Sequence, residues 1–309
     1  DEKPYSCSFG YYKRFDGISQ KLSQKEIKAI FKDNTSESYD EKTIKNFNSS
    51  NLSLKKINTF LKFSEIDIKA SEQNLGSILA SLSLKNGPFL NQTALLFFAK
   101  NTAQLTPQSQ MTLLSFKSIN KVTIFDKKEI RDDLFTQFNE AIFFLQRHLS
   151  QQAIINGIKR IDQYEIPLEA LREAIANAII HRDYSLKGTS IQLEIYPNRV
   201  EILSPGSLHA GITTKNIGSI SIRRNEKIAD MFARLKIVER AGTGIHRIRE
   251  VLKANNLRAP QIKTVGPFLK IVLWRPVSSE VSSEVSSEVS SEVLSDTMNK
   301  ILNLIKLNN

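Results

Sequence analysis

LEALREAIANAIIHRDYS, from Leu168 to Ser185, reads as a helix with an unusual polar side. Glu173, Asn177 and His181 stand at i, i+4 and i+8, so they form one stripe that drifts only about 40° per step. Leu168, Leu171, Ile175, Ala178 and Ile179 fall opposite and make the apolar stripe that faces a core. Ala170 and Ala174 lie beside the polar column, where small side chains let a ligand approach the backbone. Surface helices ordinarily show Lys and Glu to solvent. An acid, an amide and an imidazole in a column point instead to the wall of a site.

Downstream the pattern changes to alternation. Ser190–Tyr196 and Arg199–Leu203 flank Pro197-Asn198 and predict an antiparallel hairpin. Ser204-Pro205-Gly206 ends the second strand in a tight turn. Asn225 is placed to cap a helix carrying Ile228, Met231, Phe232 and Leu235. Gly242-Thr243-Gly244 is a glycine-rich turn opening another helix through Ile248, Val251 and Leu252, and Phe268–Trp274 predicts a final strand. Helix, hairpin, glycine turn, helix and strand make an α/β fold, an α+β sandwich with a ligand between helix layer and sheet.

That order suggests a chemistry. An acid on a helix can orient a water for attack on a γ-phosphate, and an amide one turn on can complete the oxygen shell of Mg²⁺. Glycines let backbone N–H groups crowd phosphate oxygens, and the helix starting at Gly244 adds a favourable dipole. Each residue also has a plainer role open to it. Glu173 can be a solvated helix charge, Asn177 an internal pair, and Gly242 and Gly244 packing residues. His181, Arg182 and Asp183 read best as a structural charge cluster, and Arg223 and Arg224 as exposed cations or phosphate contacts.

Composition narrows the class. The 309 residues suffice for two or three domains, and 40% hydrophobic with 24% charged content is that of a soluble globular chain. No apolar run is long enough to span a membrane. The single cysteine, Cys7, rules out an internal disulfide or a Cys-based zinc site and suggests a reducing, cytoplasmic setting. Residues 151–276 carry 20 Lys+Arg against 11 Asp+Glu, a net +9, which suits nucleic acid or a phosphorylated ligand. A general bias toward Lys and Asn is the plainer source of that charge. The chain opens on Asp1 without a signal-peptide pattern and is expected to be a piece of something longer.

Upstream, Gly10–Phe15 predicts a strand, Ser23–Glu26 a capping box before Ile27, Ile30 and Phe31, and 33–53 a polar surface loop or linker. Helical patterns follow from Leu54 and over Leu75–Leu84, with a turn at Asn86-Gly87. Thr93–Ala99 is a buried strand or short helix; periodicity alone leaves both open. Met111–Phe116 and Lys121–Phe125 read as strands and Ile130–Leu149 as a long amphipathic helix, with His148 a structural residue favoured by the helix dipole. SSEV repeated from Ser278 to Val293 reads as a flexible linker, and Ser295 onward as the first helix of a further domain or a frayed end.

The set ELREAIANAIIHRDYS, VEILSPGSL, SIRRNEKIAD and VERAGTGIHRI resembles the GHKL-like ATPase domain of bacterial Schlafen/AlbA-type DNA-binding proteins, a group often labelled RecG-helicase-related or transcriptional regulators. The resemblance implies a GHKL/Bergerat-like layer of helices on a mixed sheet over 151–276. Ahead of it would come the remnant of an AlbA-type domain (1–70) and a connecting α/β segment (71–150). A linker (277–294) and the start of a winged helix (295–309) would follow. It also implies ATP and Mg²⁺ as ligands, with Glu173 as the catalytic acid and Asn177 as the Mg²⁺-binding amide. His181, Ser204, Gly206, Arg224, Asn225, Gly242, Thr243 and Gly244 would line the nucleotide.

One departure stands out: SPGSL replaces Asp-x-Gly-x-Gly, so Ser204 stands where a carboxylate would read the adenine amino group. Functionally the resemblance implies a DNA-binding regulator coupled to ATP, with a lid near 217–226. Two alternatives stay open: a nucleotide-free module that binds nucleic acid or protein, and the scaffold of a nuclease effector. The oligomeric state is open, a dimer included. HRDYSLKG is not a kinase loop, because Gly188 stands where Asn is needed, and no G-x-x-x-x-G-K-[ST] exists for a helicase motor.

Overall fold

The computed structural model describes residues 6–7, 10–15, 18–24, 27, 38–156, 159–208, 212–214, 216–219, 222–239 and 242–276. The predicted helix after Ser23 and the whole tail from 277 fall largely or wholly outside these residues.

At the N-terminal end, β1 (Ser6–Cys7), β2 (Gly10–Phe15) and β3 (Ile18–Lys21) pair antiparallel. Next come β4 (Thr43–Ile44), α1 (Leu54–Phe63), α2 (Leu75–Ser81), β5 (Lys85–Asn86), β6 (Phe89–Asn91), α3 (Gln92–Phe98) and α4 (Thr102–Leu105), with strand order β4-β6-β5. Thr93–Ala99 resolves as helix because Asn91 Oδ1 accepts from the Ala94 amide at 3.0 Å and caps it. The stretch read as a surface loop is partly internal. Its residues 38–53 form two short 3₁₀ turns and β4, and Asp40 is fully buried.

The larger part contains β7 (Met111–Phe116), β8 (Ile124–Ile130), α5 (Leu134–His148), β9 (Gln151–Asn156), β10 (Lys159–Tyr164), α6 (Leu168–Ile180), β11 (Ile191–Tyr196) and β12 (Arg199–Pro205). It ends with α7 (Glu226–Arg234), α8 (Gly244–Ala254), β13 (Gln261–Val265) and β14 (Phe268–Trp274). Six strands form one mixed sheet in the order β13-β14-β12-β11-β7-β8, with β11 parallel to β7 and the other neighbours antiparallel.

Several boundaries differ from expectation. The strand predicted over Lys121–Phe125 begins at Ile124, because the connection closes on itself where Lys117 N donates to Thr123 O at 3.2 Å. The helix predicted from Ile130 starts at Leu134, where Asp133 Oδ1 accepts from the Thr136 amide at 2.9 Å. The hairpin β9–β10 and strand β13 were not anticipated. His148, at the end of α5, stacks on Phe144 at 4.3 Å, and its burial pushes the imidazole pKa down rather than up.

Inner-face residues Met111, Leu113, Ile191, Leu193, Ile195, Val200, Ile202, Ile271 and Leu273 pack under the helices. The same core continues to Phe47 and Leu52, so it crosses residues 70 and 150 without a break. Helix α6 lies in its middle, against α8, α5, β12 and α7. That surrounds it, and an amphipathic pattern becomes a helix buried on nearly every side, Glu173 included. Among the described residues, no helix is long and apolar enough to cross a membrane.

Candidate functional site

Helix α6 carries Glu173 and Asn177 one turn apart, and Asn177 Nδ2 donates to Glu173 Oε1 at 3.1 Å. Glu173 is only 5% exposed, so it is not a solvated helix charge. Burial pushes its carboxyl pKa up, and the Asn177 hydrogen bond and Arg247 guanidinium oppose that shift only in part. The helix ends at Ile180. His181 is its C-cap, with φ −94° and ψ 0°, so the third member of the stripe leaves the helical path.

The glycine turn packs directly on this pair. A Cβ on Gly244 would overlap Glu173 Oε1 and stand 3.0 Å from Asn177 Nδ2. Gly242 adopts φ +70°, a left-handed conformation that side chains resist, and it turns the chain into α8. One turn into α8, Arg247 lies 3.9 Å from Glu173 Oε2 and 3.9 Å from Glu169 Oε1, and it also pairs with Glu239. One cation therefore serves three carboxylates.

The opposite wall comes from the end of β12. Ser204 Oγ donates to Ala178 O at 2.6 Å, fastening the strand end to α6. Gly206 holds φ +133°, and a Cβ there would stand 3.1 Å from Asp183 N. Asp183 N in turn donates to Pro205 O at 2.7 Å. Arg224 Nη2 donates to Ser207 O at 2.5 Å, with Nη1 3.7 Å from Asp183 Oδ2. Arg182 is buried, with Nη2 donating to Gln108 O at 2.5 Å and Thr189 O at 2.8 Å; this member of the His-Arg-Asp cluster is structural.

Between these walls lies a cleft of ≈ 160 Å³. Engineered cavities of about 150 Å³ take up a benzene ring, so a planar ring fits here. Ile180, Ile202, Ile217, Ile222 and Ile271 make its surface largely apolar, and Glu173, Asn177, His181, Ser204, Arg223 and Arg224 supply its polar points. A few convergent polar groups in an apolar cleft are what ligand sites generally show. From the stretch 217–226, expected as a lid, Ile217, Gly218, Ile222, Arg223 and Arg224 border it.

Of the ten residues singled out from sequence, Glu173, Asn177, His181, Ser204, Gly206, Arg224, Gly242 and Gly244 line this cleft. Thr243 and Asn225 do not. Asn225 is fully buried, and its Nδ2 donates to Ile180 O at 2.7 Å and Arg182 O at 2.8 Å, so neither amide hydrogen is available to a ligand. Nor does its side chain cap α7. The apolar half of the cleft was missed; the alternation in β12 and β14 marks inner-face residues but not which of them meet a void.

Residues 188–273 match the family described as "Putative ATP-dependent DNA helicase recG C-terminal", an ATPase-like domain. The match takes in Ser204–Gly206 and Gly242–Gly244 and begins after α6, so Glu173 and Asn177 lie outside it. No curated protein matches the chain. Among solved structures it is similar to the DIP2311 protein from Corynebacterium diphtheriae, with a TM-score of 0.67 and 20% identity over 86% of this chain and 53% of that one. Likeness at this identity shows the fold, and the chain spans about half the length of that protein.

Proposed function

We propose that the cleft binds ATP with Mg²⁺, and that the chain is a DNA-associated regulator in which this binding is coupled to DNA contacts. The observation that carries the nucleotide reading is the Glu173–Asn177 pair, held against the glycine turn in a largely apolar cleft with room for a planar ring. Among the described residues no group of three or more His, Cys, Asp or Glu could hold a metal alone. The donor set instead suits a cation that arrives with ligand oxygens of its own, as Mg²⁺ on phosphates does. Asn177 Oδ1 would hold it, and it would neutralise phosphate charge. Glu173, with its raised pKa, would take the proton from an attacking water. Arg223 and Arg224 at the cleft would face phosphate oxygens.

DNA association rests on the net +9 of residues 151–276 and on the matched family's description, which names a DNA helicase. The chain has no motor-type phosphate loop, so the proposal excludes a helicase motor.

A second reading has its own observation. Ser204 commits its hydroxyl hydrogen to Ala178 O, and Gly244 closes directly on Glu173, which favours a domain that kept its shape and lost its nucleotide. Displacement of a fluorescent ATP analogue by ATP, with and without Mg²⁺, separates the two. Mg²⁺-dependent displacement supports the first reading, and failure of the analogue to bind supports the second.

A further inference from the structure

We infer that Asp40 is a positioning residue of the cleft, supplying from the N-terminal part of the chain the cap that α7 lacks. This concerns how the cleft wall is placed and does not depend on which ligand occupies it.

A helix leaves its first amides without internal partners, and a side-chain oxygen at the N-cap normally takes those of the second and third residues. In α7 the N-cap is Asn225, whose side chain is turned away onto Ile180 O and Arg182 O. Its Oδ1 is buried without a partner. Asp40 takes the place: Oδ2 accepts at 3.0 Å from the amide of Ile228, 188 positions later, and the Lys227 amide also bonds the carboxylate. These are the second and third residues of α7.

The turn that carries Asp40 is fastened on several sides. Tyr39 stacks on Tyr184 at 5.8 Å and accepts from Gln108 Nε2 at 3.2 Å. Thr93 Oγ1 donates to Asp40 O at 2.9 Å, and Lys227 Nζ stands 3.5 Å from Glu41 Oε1. Tyr184 follows the end of α6, and Arg223 and Arg224 immediately precede α7, whose Ala229 and Ala233 line the cleft. The turn thus ties the residues after α6 to the start of α7. Losing it loosens the start of α7, next to Arg223 and Arg224.

Hydrogen exchange on the full chain without nucleotide tests this. In the wild type, the amides of Lys227 and Ile228 should be as protected as those in the interior of α7, whereas fraying there would overturn the inference. Asp40→Ala should speed their exchange about tenfold, the loss of one cap, and leave α8 unchanged. Asp40→Asn, which keeps an acceptor oxygen, should restore most of the protection. Unchanged exchange in Asp40→Ala, or equal acceleration in α8 and β12, overturns the positioning role. A chain that never binds ATP leaves these outcomes intact, so the two proposals fail separately.

Discussion

Glu173 and Gly244 are in direct contact, the carboxylate of α6 occupying the space a side chain would need at the start of α8. The absence of a Cβ at Gly244 is therefore required by the protein itself, before any ligand is considered. It also lets the glycine turn sit directly against Glu173 in the cleft.

Gly244→Ala should destabilise the chain by about 1–3 kcal/mol, the usual cost of overpacking a close contact. Adding Glu173→Ala should recover part of that loss, because the overlapping atom is gone and the pair is coupled. Thermal melts of the two single variants and the double variant measure this. Strict additivity would show that the contact is not what excludes a side chain.

Glu173 makes a prediction about pH. Its folded pKa is raised above that of a free glutamate, chiefly by burial. A carboxyl raised in this way adds stability below its unfolded pKa and loses that contribution as pH rises through the folded value. Glu173→Gln keeps an oxygen for Asn177 without the charge. It should be more stable than wild type near neutral pH, with the gain vanishing below the pKa of the unfolded glutamate. Denaturant melts across pH decide it, and a Gln variant less stable at neutral pH speaks against a strained ionised Glu173.

Asn225 is predicted to matter for stability alone. Asn225→Leu would leave Ile180 O and Arg182 O without their donor in a buried site, at a cost of about 2–4 kcal/mol. Asn225→Asp, of similar size but without the donors, should cost at least as much. Urea midpoints close to wild type for both would return Asn225 to the list of ligand-facing residues.

These cases mark where local pattern suffices. The spacing of Glu173 and Asn177 is a property of one helix and was readable from it, as were β11, β12 and α8 with their alternating or helical periods. The β9–β10 hairpin pairs Asn156 with Lys159, but its strands, QQAIIN and KRIDQY, lack the clean alternation that marks a half-buried strand. Strand β13 is short, lies at a sheet edge and is mostly exposed, so its composition hardly differs from a loop. Asp40 carried no local signal: its partner Ile228 is 188 residues away, and it stands in SESYDEK, a polar stretch like that of an ordinary linker. Likewise Asn225 sits where a cap belongs, and only the tertiary packing of α6 turns its amide elsewhere.

For DNA, the expected signature is salt dependence. If the basic residues of 151–276 neutralise several phosphates, the logarithm of the affinity should fall linearly with the logarithm of salt, with a slope of about −0.9 per contact. Fluorescence anisotropy with a duplex oligonucleotide measures it. A flat response would remove nucleic acid as the partner of this surface.

Nucleotide binding at the cleft is tested by calorimetric titration of ATP into the full chain, with Mg²⁺ and with chelator, for wild type and Asn177→Ala. Saturable heat is expected in the presence of Mg²⁺. Asn177→Ala should lose affinity about tenfold or more, corresponding to one lost cation ligand, and that loss should disappear when Mg²⁺ is removed. No heat at millimolar ATP with Mg²⁺, from protein whose melt shows it folded, would contradict nucleotide binding there.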